Sequence, residues 1–288
     1  MSSSTGFVLV TGATGFIGSH IVSQLLAKNI KVRAVVRSAN KLKTIFPDAG
    51  SQLDIVELPS LLEDHAEALK GVSAVIHTAA PAFFKGATGE ETFKGAYEGT
   101  LNIVNQAIAS GINKIIVTGS MANLFDSDLK GAFGTQVVTE KDFGAIETEG
   151  YKNLIEQDAF FVYQAAKTVS DKKLRDLLRS IPRLTLQFLE YALIGISVLP
   201  PMVLGPLVPN FPFSPDINQL GTNCFVHGLI TGGPDGPNTN PPVNFGHVVD
   251  VRDVAKAHVW RWNALEYRPS QAYDLSTDTF KWKTRLKL

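Results

Sequence analysis

A glycine-rich turn near the N-terminus constrains this chain more than any other feature. An apolar run of strand length, 7–11, meets three glycines spaced three apart, Gly12, Gly15 and Gly18. Apolar residues then recur at helical spacing, so the pattern predicts a strand, a tight turn and a helix. Gly12 can take the positive φ of such a turn, Gly15 lets the backbone approach phosphates, and Gly18 lets helix and strand pack closely. The helix N-terminus attracts an anion, so the stretch predicts a dinucleotide site; a turn that serves packing alone is the alternative.

The composition favours a small-molecule partner. The 288 residues are 44% apolar, enough for one large α/β domain or for a domain with a smaller lobe. Because 27 basic side chains balance 27 acidic ones, no charge excess indicates a nucleic acid or a membrane surface. Cys224 is the single cysteine, which excludes an internal disulfide framework. The start, Met-Ser-Ser-Ser, lacks the features of a signal peptide, so we expect a cytoplasmic protein that forms a monomer or a weak homodimer.

Strand and helix patterns alternate along the first two thirds of the chain. After the first strand, short apolar runs predict strands at 31–37, 54–58, 71–77, 114–120 and 194–199. Helices are predicted at 38–46, 62–70, 90–110 and 158–180. This alternation is typical of an α/β fold with a doubly wound, Rossmann-type parallel sheet. Residues 121–150 are predicted to form a long functional loop, and the Pro-, Gly- and Asn-rich stretch 202–242 is predicted to be irregular.

Tyr163 and Lys167 are the first candidates for chemistry. They stand four residues apart in a predicted helix, which puts the phenol and the ammonium on one face. A fixed cation stabilises a phenolate and should lower the pKa of the phenol. Ser120 ends the predicted fifth strand, at the edge of the sheet where ligands of open α/β folds bind, and could hold a carbonyl oxygen beside the tyrosine. A surface Tyr/Lys pair is the alternative.

Six motifs follow one another along the chain: Thr11-Gly-Ala-Thr-Gly-Phe-Ile-Gly18, Val75-Ile-His-Thr-Ala-Ala-Pro81, Val117-Thr-Gly-Ser120, Thr139-Glu-Lys-Asp142, Tyr163-x-x-x-Lys167 and Pro200-Pro-Met-Val-Leu-Gly-Pro206. In this order they resemble the extended short-chain dehydrogenase/reductases. Within that family they look most like the group of dihydroflavonol reductase, cinnamoyl-CoA reductase and fungal ketone/aldehyde reductases. The resemblance covers nearly the whole chain.

The resemblance implies a role for each motif. Tyr163 would give a proton to the carbonyl oxygen, Lys167 would hold the nicotinamide ribose, and Ser120 would orient the carbonyl. The implied cofactor contacts outside the catalytic residues are Gly12, Thr14, Gly15, Phe16, Ile17, Gly18, Thr78, Ala79, Ala80, Thr118, Pro200, Pro201, Met202 and Val203. Two positions depart from the family pattern: Gly119 stands where a second serine is common, and Glu57-Leu58 stand where an Asp and an apolar residue usually touch adenine.

Arg37 indicates which dinucleotide fits. The second strand of an NAD site ends in a carboxylate that binds the ribose 2′-hydroxyl, but this strand ends in Val36-Arg37-Ser38, and Lys41 follows. A guanidinium and an ammonium suit a 2′-phosphate, so the sequence predicts NADP(H). A role for Arg37 in stacking on adenine alone is the alternative.

These observations predict an NADPH-dependent reductase of small ketones, aldehydes or dihydroflavonol-like carbonyls. Two alternatives stay open: an NAD-dependent sugar-nucleotide epimerase or dehydratase, against which Arg37 counts, and a regulatory protein that binds NADP without turnover. The histidines show no ligand spacing, so no metal site is predicted. Asp250 and Asp253 are predicted to belong to the start of a helix, as an N-cap and an acidic first turn.

The predicted organisation has two parts. Residues 1–200 form the NADP-binding Rossmann domain, to which 243–278 partly return, and 201–288 form a smaller substrate lobe. The stretch 179–191 carries more apolar residues than the family pattern needs, and the end at 280–288 is earlier than in relatives. We therefore expect an incomplete lobe, cofactor binding that survives better than turnover, and association through exposed apolar surface.

Overall fold

The computed structural model of the chain describes residues 6–81, 88–125, 142, 144–146, 159–180, 194–212, 221–231, 247–263 and 278–279. The predicted apolar insertion after the long helix, at 181–191, and the chain end at 280–288 lie outside the described residues. So does most of the predicted loop at 121–150. No helix in the described part of the chain has the length and apolar character needed to cross a membrane.

A six-stranded parallel sheet forms the centre of the protein, which confirms the predicted fold class. The strand order is β3-β2-β1-β4-β5-β6, and each neighbouring pair is parallel. The chain therefore starts in the middle of the sheet, runs to one edge and crosses back, as doubly wound folds do. The strands are β1 (Phe7–Thr11), β2 (Val32–Val36), β3 (Leu53–Glu57), β4 (Val72–His77), β5 (Lys114–Thr118) and β6 (Ile194–Val198).

Helices cover both faces of this sheet. They are α1 (Phe16–Leu26), α2 (Ala39–Ile45), α3 (Ala66–Leu69), α4 (Gly89–Phe93), α5 (Gly99–Ala109) and α6 (Ala159–Ser180). Alternate residues of β1 enter different cores, because side chains of a strand point to opposite faces in turn. Val8 and Val10 pack with Ile21 of α1, whereas Leu9 packs with Ile103 of α5.

Residues after 200 add a second, smaller sheet. It contains β7 (Met202–Leu204), β8 (His247–Asp250) and β9 (Asp278–Thr279), with β7 and β8 parallel and β9 antiparallel to β8. Two helices accompany it, α7 (Asn223–Thr231) and α8 (Val251–Asn263), and α8 packs against α1 of the large sheet. The prediction that 202–242 is irregular was therefore wrong at β7 and α7.

The start of α8 has the cap that the sequence predicts. The backbone N–H of Arg252 donates to the Asp250 carboxylate at 2.8 Å, and Asp253 lies in the first turn. Two other helices differ from their predicted extents. The predicted helix 62–70 is confined to α3, and the predicted helix 90–110 contains a π-helical turn at Lys94–Glu98 between α4 and α5.

Candidate active site

The candidate site follows the carboxyl edge of the large sheet. Four neighbouring strands, β2, β1, β4 and β5, end at this edge and lead directly into predicted site residues. Arg37 follows β2, Gly12 follows β1, Thr78 follows β4, and Ser120 lies two residues beyond β5. Strands in a sheet are about 4.8 Å apart, so the edge from β2 to β5 extends roughly 14 Å, the scale of an extended dinucleotide.

The glycine turn has the close packing that its spacing predicts. Gly12 has a φ of 72°, and the backbone N–H of Gly15 donates to the Gly12 carbonyl at 2.8 Å. A Cβ at Gly18 would clash with the Gly12 carbonyl oxygen, whereas one at Gly15 would meet only that oxygen, at 3.1 Å. Thus Gly12 and Gly18 are needed by the backbone itself, whereas a Cβ at Gly15 would make one tight contact, with a backbone oxygen.

The N-terminus of α1 suits an anion. No side chain caps it, and no acidic residue lies in its first turn, so its N–H groups face no competing acceptor from the helix itself. Thr14 lies half-buried in the turn. Phe16 and Ile17 begin the helix and pack on Val203 and the start of α8, which joins the turn to the second sheet. The residues present therefore fit the phosphates of a dinucleotide.

A buried network ties the glycine turn to the end of β4. The Thr78 hydroxyl donates to the Thr11 carbonyl at 2.8 Å, and the Ala79 N–H donates to the Thr11 hydroxyl oxygen at 3.3 Å. The Thr11 hydroxyl lies 2.8 Å from Nδ1 of His77, whose Nε2 lies 3.0 Å from the Thr100 hydroxyl. Burial lowers the pKa of His77 to about 3, so this imidazole is neutral. The next residue, Ala80, packs against the core formed with α4 and α6.

Cationic side chains stand at the β2 end of the edge. Arg37 and Lys41 are both exposed, and the Lys41 ammonium lies 5.4 Å from the ring centroid of Phe211. Glu57, at the end of β3, accepts a hydrogen bond from the Ala39 N–H at 2.6 Å, and so caps the start of α2. The N–H of Leu58 donates to the Val36 carbonyl at 3.0 Å, which holds the ends of β2 and β3 together.

The Tyr163 phenol and the Ser120 hydroxyl meet at the opposite end of the edge. The two side chains are hydrogen-bonded to each other. Ser120 Oγ also accepts from the Ala122 N–H at 3.2 Å, at the start of a 3-10 turn, Met121–Leu124. Burial raises the pKa of Tyr163, and the Ser120 hydrogen bond only partly offsets this. The expectation of a lowered pKa was wrong for this state, because desolvation of the phenolate outweighs its polar surroundings.

Lys167 is buried beneath the tyrosine, one turn further along α6. Its side chain is 7% exposed, and its ammonium donates to the Thr118 carbonyl at 2.8 Å. Burial lowers the pKa of Lys167 to about 8, while the negative charge of Asp171 acts in the opposite direction. This lysine is therefore held by the last residue of β5, directly before Gly119 and Ser120.

The segment after β6 lies beside the catalytic residues. The N–H of Met121 donates to the Pro200 carbonyl at 3.1 Å, which joins Pro200 and Pro201 to the turn that carries Ser120. Met202 and Val203 follow as buried residues of β7. At the position where relatives often carry a second serine, a Cβ on Gly119 would lie 2.4 Å from a methyl carbon of Leu199. A serine at this position would need the end of the Leu199 side chain to move.

Three side chains that support the site were not predicted from the sequence. Gln164 donates from Nε2 to the carbonyls of Ala122 and Phe125, both at 3.1 Å, and so fixes the turn after Ser120. His77 and His258 are buried histidines with hydrogen bonds on both ring nitrogens. Apart from the Val254 carbonyl, which lies one helical turn before His258, their partners are 23 to 140 residues distant along the chain, so no local pattern could identify these contacts.

No group of three or more His, Cys, Asp or Glu side chains within the described ranges could hold a metal ion.

Residues 12–176 match the family described as NAD(P)H-binding. An uncharacterized oxidoreductase of Schizosaccharomyces pombe is 30% identical over 261 residues, 88% of this chain and 72% of that protein. The NADPH-dependent methylglyoxal reductase GRE2 of Saccharomyces cerevisiae is 27% identical over 266 residues, with the same coverage.

The fold matches a solved reductase structure. The crystal structure of Gre2 from Candida albicans in complex with NADPH has a TM-score of 0.79 and 25% identity, covering 96% of this chain and 80% of that one. The chain therefore belongs to the NAD(P)H-binding oxidoreductases of the extended short-chain dehydrogenase/reductase family, in the branch of dihydroflavonol reductase, cinnamoyl-CoA reductase and the Gre2 reductases.

Proposed function

We propose that this chain is an NADPH-dependent carbonyl reductase that converts a small ketone or aldehyde to the alcohol, with Tyr163 as the proton donor. The observation that carries the proposal is the order of residues along the sheet edge. A cationic pair, an open helix N-terminus and a hydrogen-bonded Ser120/Tyr163 pair follow one another from β2 to β5.

Each catalytic side chain has a separate task in the proposed reaction. NADPH supplies a hydride to the carbonyl carbon when it is bound. Tyr163 gives its proton to the carbonyl oxygen, and its raised pKa keeps that proton in place at neutral pH. Ser120 donates to the same oxygen and orients it. Lys167, on the same face of α6, holds the ribose next to the nicotinamide and keeps a positive charge near the site below about pH 8.

The cofactor choice rests on Arg37 and Lys41. Both are exposed where the ribose 2′ position would lie, and the strand that precedes them ends in valine. Bidentate recognition by a guanidinium suits a phosphate and gives nothing comparable to a hydroxyl. Glu57 is already engaged with the start of α2, so it is not a replacement for the missing ribose carboxylate. We assign Gly12 to Gly18, Thr78 to Ala80 and Pro200 to Val203 as the remaining wall of the cofactor site.

A small carbonyl compound is the substrate class that the relatives support. They include a methylglyoxal reductase and an aldehyde reductase. Phe125 is buried next to the Ser120 turn and gives that end of the site an apolar border. We further propose that 201–288 supply the substrate lobe, in line with the separate sheet of β7, β8 and β9.

The test is a substrate panel followed through the absorbance of the reduced cofactor. The panel holds methylglyoxal, a branched aldehyde, an aromatic ketone, a dihydroflavonol and a UDP-sugar, each with NADPH or NADH. We expect NADPH consumption with at least one carbonyl, an equal amount of alcohol product, and slower consumption of NADH. The Ser120→Ala variant serves as the matched control and should lose most of this rate. Conversion of the UDP-sugar without net NADPH consumption, or no carbonyl reduced at all, would refute the proposal.

A further inference from the structure

His258 of α8 is a fully buried histidine whose hydrogen bonds define its protonation. Its Nδ1 lies 2.8 Å from the Val254 carbonyl oxygen, which can only accept, so Nδ1 carries the proton. Its Nε2 lies 2.9 Å from the Thr118 hydroxyl oxygen. Burial lowers the pKa of His258 to about 4, so the ring is neutral and Nε2 is an acceptor. The Thr118 hydroxyl therefore donates to His258, and its orientation is fixed.

The peptide group that follows Thr118 is held from two sides. Its carbonyl oxygen accepts from the Lys167 ammonium at 2.8 Å, and its N–H, on Gly119, donates to the Val198 carbonyl at 2.8 Å. These two groups point in opposite directions in a trans peptide, so they fix its plane. The side chain of Thr118 is the third point of attachment, and His258 binds its hydroxyl.

We propose that His258 is a positioning residue for the Lys167 ammonium, acting through Thr118. The inference rests on the proposed function, in which Lys167 holds the cofactor ribose. His258 comes from the part of the chain after the second sheet begins, 140 residues from Thr118. It thus links the helix that follows β8 to the geometry of Lys167 and of Ser120, two residues beyond Thr118.

Loss of the Nε2 acceptor frees the Thr118 hydroxyl to rotate. A buried hydroxyl without a partner seeks another acceptor, and the nearby peptide carbonyl that holds Lys167 then shifts. A catalytic group needs placement within a fraction of an ångström, so a small shift lowers the rate without removing any group that touches the substrate. We expect about a tenfold loss of kcat/KM, which corresponds to ~1.4 kcal/mol of transition-state stabilisation.

The His258→Asn and His258→Gln variants form a matched pair. The asparagine amide reaches only the Nδ1 position and can serve the Val254 carbonyl, whereas the glutamine amide reaches the Nε2 position and can accept from Thr118. Both replace a buried ring by an amide, so both should lower the thermal midpoint by similar amounts. The positioning role predicts a roughly tenfold loss of kcat/KM and a several-fold weaker NADPH Kd for the asparagine variant, and values within about twofold of wild type for the glutamine variant.

The Thr118→Val variant tests the same contact from its other end. Valine keeps the shape of threonine and removes the hydroxyl, so this variant should match His258→Asn, and the double variant should be no worse than either single one. His65→Gln is the control, since His65 is equally buried but, within the described part of the chain, its ring bonds only at Nδ1, to the Glu63 carbonyl. It should lower stability and leave NADPH affinity unchanged.

Measuring the NADPH Kd tests the role of His258 independently of the proposed carbonyl reduction. If the wild-type protein binds NADPH but reduces no carbonyl, the proposed function fails and the Kd comparison still decides the role of His258. Equal Kd values for the asparagine and glutamine variants, or additive losses in the double variant, would overturn the inference. A loss in His65→Gln as large as in His258→Asn would also overturn it.

Discussion

We propose that two exposed cations decide how this chain distinguishes its cofactors. Arg37 follows β2, and Lys41 lies one helical turn further on, in α2. In the structure Lys41 faces the ring of Phe211, so the ammonium is already held close to the site by an aromatic side chain from beyond β7. In the proposed site this pair favours a cofactor that carries a 2′-phosphate.

We predict that Arg37→Leu weakens NADPH binding by roughly ten- to a hundredfold and changes NADH binding little, because a charge-assisted contact to the 2′-phosphate is lost. Lys41→Ala should act in the same direction with a smaller effect. Lys43→Ala removes an exposed lysine from the last turn of the same helix and is the control. Titration of each variant with both cofactors provides the measurement. Parallel losses for NADH and NADPH in Arg37→Leu would instead assign Arg37 to adenine stacking.

Among the secondary-structure elements, the β1-turn-α1 unit contains two glycines that the fold needs and one that we propose the cofactor needs. Gly12 and Gly18 are in contact through backbone atoms, and Gly18 has no room for a methyl group. Gly15 has a φ of −88°, which any residue can adopt, and meets only the Gly12 carbonyl oxygen. A Cβ at Gly15 would therefore need only a small shift of the turn, and we propose that glycine is present there because the cofactor phosphates approach this backbone.

We predict that two alanine substitutions in this turn affect different properties, one mainly stability and the other mainly NADPH binding. Gly18→Ala should destabilise the protein by about 3 kcal/mol or more, because the new methyl group must displace backbone. Gly15→Ala should cost about 1 kcal/mol or less in stability and yet weaken NADPH binding roughly tenfold, because the methyl group occupies the approach to the phosphates. Denaturant unfolding and NADPH titration separate the two effects. A stable Gly18→Ala protein would refute this division.

The sequence predicted the strands well for a physical reason. Buried parallel strands are continuous apolar runs, and 31–37, 54–58 and 71–77 became β2, β3 and β4 with bounds shifted by one residue at most ends. Their order along the sheet then placed Arg37, Gly12, Thr78 and Ser120 on one edge without further information. Glycine spacing and a Tyr/Lys pair are local patterns, so they too could be read directly.

Elements that depend on distant partners could not be read in this way. The start of α7 is fixed by Asn223, which bonds the Gly205 N–H at 3.2 Å and the Gly205 carbonyl at 2.8 Å, so its helix follows from β7. The observed helix is shorter than the predicted 62–70 because the His65 N–H donates to the side-chain oxygen of Gln106, at 2.7 Å, and not to a helix carbonyl. The raised pKa of Tyr163 reflects burial, which helical spacing alone does not reveal.

At the scale of the whole molecule, two neutral buried histidines couple folding to pH. His77 and His258 keep pKa values of about 3 and about 4 in the folded protein, whereas an unfolded histidine has a pKa near ~6.5. The unfolded state therefore binds more protons as the pH falls below ~6.5, and stability is lost in that direction. Above that pH both states are neutral at these residues, and their contribution is fully present.

We predict that lowering the pH from 7 to 5 reduces the free energy of unfolding by roughly 4 kcal/mol through these two histidines, about 2 kcal/mol each. Thermal unfolding across this range measures the effect. His258→Gln removes one titrating group, so its melting temperature should fall less steeply with acid than that of the wild type. A variant whose acid dependence is as steep as that of the wild type would contradict this assignment.

The Tyr163→Phe variant tests whether the chain reduces a carbonyl with a proton from Tyr163. The substitution removes the phenol hydroxyl and keeps the ring that packs on α6, so NADPH affinity and melting temperature should stay close to those of the wild type. NADPH-dependent reduction of the best carbonyl in the panel should fall at least a hundredfold, which corresponds to ~2.7 kcal/mol in the barrier. A Tyr163→Phe protein that binds NADPH normally and keeps more than about a tenth of the wild-type rate, a barrier change below ~1.4 kcal/mol, would contradict the claim.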